Sequence, residues 1–133
     1  MPITQTNALT QAQLTTVVGL SAPTVVSFTS VKIDLAATTA NQVLVAAPGA
    51  GKQIWVYSVA FLFDTAAGTV VFHDSTPTAL TGTMAVSDEG GLAIAPSGNF
   101  AMPIWKCATN TSLQASTGAG TVDGWLTYAI VSV

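Results

Sequence analysis

Arginine is absent from this chain, and lysine occurs only at Lys32, Lys52 and Lys106. Phosphate recognition needs clustered cationic side chains, so a chain with a formal net charge of −3 is not built for nucleic acid. The same shortage argues against an anionic membrane surface. Long apolar runs are also missing: nothing approaches the roughly 20 residues that span a bilayer as a helix. The opening residues, Met1-Pro-Ile-Thr-Gln-Thr-Asn7, lack the basic and apolar regions of a signal peptide. The expectation is a soluble chain with no targeting signal. A lone cysteine, Cys107, excludes an internal disulfide framework and is most simply a small buried hydrophobe.

The scarcity of reactive side chains limits the chemistry. His73 is the single histidine and is followed by Asp74. Neighbours on a strand point to opposite faces, so the two do not form a dyad, and a histidine metal site needs further ligands. Beyond one Cys and one His, nothing supports Cys–His catalysis. Asp64, Asp74, Asp88, Glu89 and Asp123 could pair for glycoside hydrolysis or hold calcium at a junction between subunits. All fall at or near predicted turns, where Asp serves backbone hydrogen bonding. The segment Ala47-Pro-Gly-Ala-Gly-Lys-Gln53 has the look of a phosphate loop, but position 46 is Ala, position 53 is Gln, and a strand rather than a helix follows. It reads as a turn. No catalytic residue, cofactor or metal site is expected.

Charged residues make up 7% of the chain, against about 25% in ordinary domains. Such a surface is expected to be covered in part by partners, since homo-oligomer interfaces are apolar and poor in charge. The length of 133 residues fits one domain.

Lys52-Gln-Ile-Trp-Val-Tyr-Ser-Val-Ala-Phe-Leu-Phe63 is the organising stretch. Its β-branched and aromatic content predicts a strand. With period two, Ile54, Val56, Ser58, Ala60 and Leu62 share one face, and Trp55, Tyr57, Val59, Phe61 and Phe63 the other. Both faces are apolar, so both should be covered. Further strands are predicted at Thr24–Leu35, Gln42–Ala46, Thr69–His73, Ala79–Val86, Leu92–Ala95, Thr111–Ser116 and Val122–Val133. Thr69–His73 is expected to form a hairpin with the central strand through the turn at Thr65–Gly68. Phe100–Trp105 contains Pro103 and reads as an edge. Residues 1–23 fit no clear period and read as an extended N-terminal arm lying against a neighbour. The expected architecture is therefore all-β: an arm at 1–23 and, over 24–133, an antiparallel β-sandwich of jelly-roll type.

Three tryptophans can anchor interfaces or fill a core. Trp55 and Trp125 lie on strands apolar on both faces; Trp105, beside Lys106, is the one expected to be partly exposed.

Several pieces together carry a resemblance. They are Gly51-Lys-Gln-Ile-Trp-Val-Tyr-Ser-Val59, Gly68-Thr-Val-Val-Phe-His-Asp-Ser75, Ala79-Leu-Thr-Gly82, Gly90-Gly91, Pro96-Ser-Gly-Asn-Phe100, Ser112-Leu-Gln-Ala115 and Val122-Asp-Gly-Trp-Leu-Thr-Tyr128. In this order, over roughly residues 50 to 133, the chain resembles small tailed-phage virion proteins of the capsid decoration (cement) and head-fibre type. The resemblance implies a jelly-roll module, usually trimeric, that decorates a capsid or caps a fibre. It implies a homo-oligomer and the major capsid protein as partners, and the outer surface of the virion as location. Trp55, Tyr57, Phe61 and Trp125 are then the expected oligomer contacts. Ile3, Leu9, Leu14 and Val17 of the arm, with Trp105, are the expected capsid contacts.

Overall fold

The computed structural model describes residues 27–133. The predicted arm, with Ile3, Leu9, Leu14 and Val17, and the beginning of the strand expected from Thr24 lie outside the described residues.

The described chain forms nine strands: β1 (Thr29–Leu35), β2 (Gln42–Val45), β3 (Lys52–Phe63), β4 (Gly68–Asp74), β5 (Met84–Val86), β6 (Gly91–Ile94), β7 (Trp105–Lys106), β8 (Leu113–Thr117) and β9 (Val122–Ser132). No helix occurs among the described residues. The larger, five-stranded sheet runs β1-β9-β3-β6, with β7 also paired to β3; the smaller, four-stranded sheet runs β2-β8-β4-β5. Every pairing is antiparallel. The chain crosses between sheets at each step from β1 to β4, and again from β5 to β6, β7 to β8 and β8 to β9. That winding, two Greek keys wrapped over a sandwich, is the jelly roll. The antiparallel sandwich expected from the turn spacing is what the chain forms.

Two local expectations need correction. The predicted hairpin between β3 and β4 does not exist, because Thr65–Gly68 carries the chain from one sheet to the other. β3 is paired along one edge by β9 and along the other by β6 and β7, so no edge is left for β4. The strand expected over Ala79–Val86 is also shorter: only Met84–Val86 pair continuously, while Ala79 makes a single bridge to His73.

The strict alternation expected along β3 fails at Tyr57. Val56 lies opposite Tyr128 and Ser58 opposite Thr127, leaving Tyr57 as one extra residue. This is a β-bulge, and it reverses the parity of everything after it. Facing residues across a ladder share a side. The inward set is therefore Ile54, Val56, Val59, Phe61 and Phe63, opposite Ile130, Tyr128, Leu126, Gly124 and Val122 of β9. All five β3 residues are buried. Trp55, Ser58, Ala60 and Leu62 face outward. Much of the two-sided apolar character of this strand thus comes from one inserted residue; both halves of the pattern feed the same core.

That core also takes Ile33 and Leu35 from β1, Val70 and Phe72 from β4, and Leu113 and Ala115 from β8. Phe61, Phe63 and Phe72 form its aromatic centre, with ring centroids 6.0 to 6.4 Å apart for the pairs that include Phe61. Phe63 is fully buried at the end of the sandwich because its neighbours are glycines. A Cβ on Gly68 or Gly120 would come within 2.6 or 2.7 Å of the ring, and Gly120 also has φ +80°.

Candidate functional site

No group of three metal-ligating side chains comes together among the described residues. The chemistry-bearing residues singled out from the sequence are absorbed locally. Asp74 ends β4 with its side chain buried. Its Oδ1 accepts hydrogen bonds from the backbone N–H of Thr76 (2.9 Å) and Thr78 (3.3 Å) and from the Thr76 hydroxyl; its Oδ2 accepts from Ala108 N–H (3.1 Å). Burial pushes the carboxyl pKa up, but these hydrogen bonds outweigh it and hold the group below the usual carboxylate range. His73 points to the other side of the sheet, as alternation requires. Its Nε2 lies 2.9 Å from Ser116 Oγ and its Nδ1 3.2 Å from the Asp74 carbonyl oxygen. A carbonyl only accepts, so in the neutral ring Nδ1 carries the proton and Ser116 donates to Nε2. Both ring nitrogens thus have partners other than the Cys107 thiol.

Cys107 is 1% exposed. Burial, reinforced by the negative charge of Asp74, pushes its thiol pKa up to about 12. A thiol so placed is protonated and shielded at neutral pH. Ellman's reagent should therefore leave the native protein unmodified over hours and titrate one thiol within minutes once urea unfolds the chain. Rapid native labelling would show that this thiol is accessible. Of the other carboxylates, Asp88 and Glu89 occupy the exposed turn closed by Gly90 N–H to Ser87 O (2.9 Å), Asp64 and Asp123 lie near the opposite end of β3 from β7, and Asp34 faces Asp123 across the β1–β9 ladder.

What the structure does gather is two apolar patches, one at each end of the outer face of the five-stranded sheet, with Ser30, Ser58 and Thr127 between them. At one end, Phe28 packs against Tyr57 and Phe100, with centroids 5.0 and 5.2 Å away. The Tyr57 hydroxyl donates to the Phe100 carbonyl at 2.7 Å, which fixes the 95–103 loop against the bulge. Phe28 and Phe100 remain 44% and 64% exposed and form a ridge. Beside it Lys106 Nζ sits 4.2 Å over the Trp55 ring, a cation–π contact, and the indole N–H donates to Gln53 Oε1 at 3.0 Å. At the other end lies an open trough of about 570 Å³. Its floor is Ala60, Gly91 and Ala93, and its walls include Leu62 and Trp125, 48% and 51% exposed. Asp123, facing Leu62 across the ladder, stands at the rim.

The residues named from the sequence as oligomer contacts therefore separate. Trp125 is on this face and open; Trp55 is on it and half-buried; Tyr57 is on it beneath the aromatic ridge. Phe61 is turned into the sandwich against Phe63 and Phe72, because the bulge reversed its side. Trp105 is half-buried, its ring stacked on Phe72 at 5.0 Å, so it serves the core more than the surface. Phe28, Leu62 and Phe100 were missed. Phe100 had a readable signal: a large aromatic at the end of a Pro-Ser-Gly-Asn loop has no local reason to be there.

No family model matches this chain, and no curated protein does. A solved chain from Bacillus endospore appendages, described as a family of disulfide-linked pili, is similar in structure. The two share 17% identity with a TM-score of 0.48, over 81% of this chain and 88% of that one. Nothing about this chain's function follows from that likeness.

Proposed function

We propose that this is a structural protein of a tailed-phage virion, a capsid decoration (cement) protein. It forms a homo-oligomer, a trimer being the expected form, on the outer surface of the head, and bridges major capsid subunits. It performs no catalysis and carries no cofactor. The observation that carries the reading is the pair of exposed apolar patches on the outer sheet of a charge-poor jelly roll, in a chain whose second half resembles such proteins. Large exposed apolar patches on soluble domains mark interaction sites. A cement protein needs one surface for its own copies and another for the shell. The outer face is a candidate for the first, and the segment 1–23 is the candidate for the second. Mixed with purified shells of its phage, the full chain should co-sediment at a fixed stoichiometry, and a chain lacking residues 1–23 should stay in the supernatant with its β-sheet circular dichroism intact. Shells that leave the full chain in solution would end this reading.

A second reading is a fibre-tip domain that binds a host-surface glycan. The specific observation in its favour is Trp125, an open indole beside the Asp123 carboxylate; Trp105, the tryptophan expected from the sequence to be partly exposed, packs on Phe72. A glycan array separates the two, since a cement protein binds shells and no sugar.

A further inference from the structure

The outer face of the five-stranded sheet is not uniform, and its two ends differ in complementary ways. One end is raised: Phe28 and Phe100 stand on Tyr57. The other is hollowed, because Ala60, Gly91 and Ala93 put almost nothing above the backbone between Leu62 and Trp125. Six residues of β9 separate the partner of Trp55 from the partner of Leu62, about 20 Å along the sheet. The charges divide the same way. The raised end carries Lys106, which makes no salt bridge among the described residues and lies over Trp55. The hollowed end carries Asp34 and Asp123 directly opposite each other on β1 and β9. Lys32 pairs with Asp34 and also lies close enough to Asp123 to interact with its charge; with Asp64 following β3 near the same end, that end stays net negative. Like charges facing each other across a ladder are destabilising unless something offsets them.

We propose that this face joins two copies of the chain: the Phe28–Phe100 ridge of one copy seats in the Leu62–Trp125 trough of the next, with Lys106 meeting Asp123 across the joint. The inference rests on the homo-oligomeric part of the proposed function and names its contact. An aromatic ridge entering an apolar trough excludes water from both, which is where hot-spot energy concentrates. The opposite charges set the register and reject the reversed arrangement, in which acidic ends would meet. A ridge and a trough at opposite ends of one face suit a two-fold pair with two such joints, or a closed ring with one joint per neighbour. A sugar is a poorer occupant, because the trough offers a single carboxylate and otherwise hydrocarbon. A stretch of residues 1–26, which has no acidic side chain, would give Lys106 no counterion.

The experiment uses the full chain. Light scattering from about 1 to 100 µM should give a dimer or a small closed ring. Lys106→Asp and Asp123→Lys should each weaken association about tenfold, and the two together should restore it, with circular dichroism unchanged throughout. Protein carrying Leu62→Cys, mixed with protein carrying Phe100→Cys and oxidised, should give the mixed disulfide well above either self-linked product; the shielded Cys107 stays out of the reaction. A monomer at 100 µM, a double variant no better than the single ones, or a photocrosslinker at Leu62 that captures residues 1–26 would overturn the proposal. Shell binding plays no part here. A protein that assembles this way and ignores shells sinks the decoration reading alone; a monomer that binds shells sinks this joint and the homo-oligomeric part of that reading, and leaves shell binding standing.

Discussion

Replacing Asp74 by alanine should lower the stability of the fold by about 3 kcal/mol at pH 7, read from urea unfolding. The side chain accepts four hydrogen bonds, three of them from backbone N–H groups that have to be satisfied somewhere. Hydrogen bonds to a charged acceptor are worth about 1.5–3 kcal/mol each, and water recovers part of the loss where a donor reaches solvent. The Ala108 bond matters most, because it ties the end of β4 to the start of the β7–β8 connection, 34 residues away. Asp74→Asn should cost less, about 1–2 kcal/mol, since one oxygen remains and the new amide meets a donor with a donor. The asparagine variant also carries the pH test. The carboxyl pKa is lower in the native state than in the unfolded chain. The unfolded chain therefore takes up the proton first as acid is added. The stabilisation is complete above the ordinary carboxylate value, about 4, and disappears as pH falls through that value toward the native one. The gap between wild type and Asp74→Asn should be widest near pH 7 and narrow below about pH 4. A gap that does not change with pH would mean that Asp74 is not ionised in the native protein.

Phe72→Ala should have an effect of similar or greater size, about 3–5 kcal/mol. Phe72 is fully buried on β4 and is the smaller sheet's main contribution to the aromatic centre. It meets Phe61 of the opposite sheet at 6.0 Å and stacks on Trp105 at 5.0 Å. Removing the ring loses its transfer free energy and leaves a cavity between sheets that their ladders keep from collapsing. Trp105 loses its stacking partner, so its fluorescence should shift to the red while the protein is still folded. Phe72→Leu, which keeps most of the volume, should cost about 1 kcal/mol. A loss below 1 kcal/mol for the alanine variant would mean the two sheets are not packed through this ring.

The strands were readable because their residues carry their own evidence. β-branched and aromatic runs bounded by Gly, Pro, Ser and Asp marked β3, β4, β9 and the end of β1 to within a few residues, and the lack of any helical period pointed to the class. Facing and pairing were harder. Period-two reading put Phe61 and Phe63 on one side with Trp55, and no local signal marks Tyr57 as the residue where the count slips; the bulge is defined only by its partner strand. The predicted β3–β4 hairpin failed for a related reason. A short turn between two apolar strands looks the same whether it closes a hairpin or crosses a sandwich, and only the claims of β6, β7 and β9 on the edges of β3 decide. The reading of Asp74 was half right. It does organise a turn, as an Asp before Ser-Thr-Pro-Thr should, but its burial and its reach to Ala108 depend on chain far away. The candidate face was legible in Trp55 and Trp125. Its hollow was not, because a trough is made by small residues, Ala60, Gly91 and Ala93, which draw no notice in a sequence.

β9 lies between β1 and β3; it is paired to β3 along its whole length and to β1 over Val122–Tyr128. On the ribosome, β3 emerges about 70 residues ahead of the strand that covers its longer edge. At a synthesis rate of about 5–20 residues per second, a dozen mostly apolar residues wait several seconds with that edge open. The sandwich is therefore assembled after translation of residues 122–132, and its period of greatest danger from aggregation falls in that interval. The cell that makes this protein in quantity must keep nascent chains apart for those seconds.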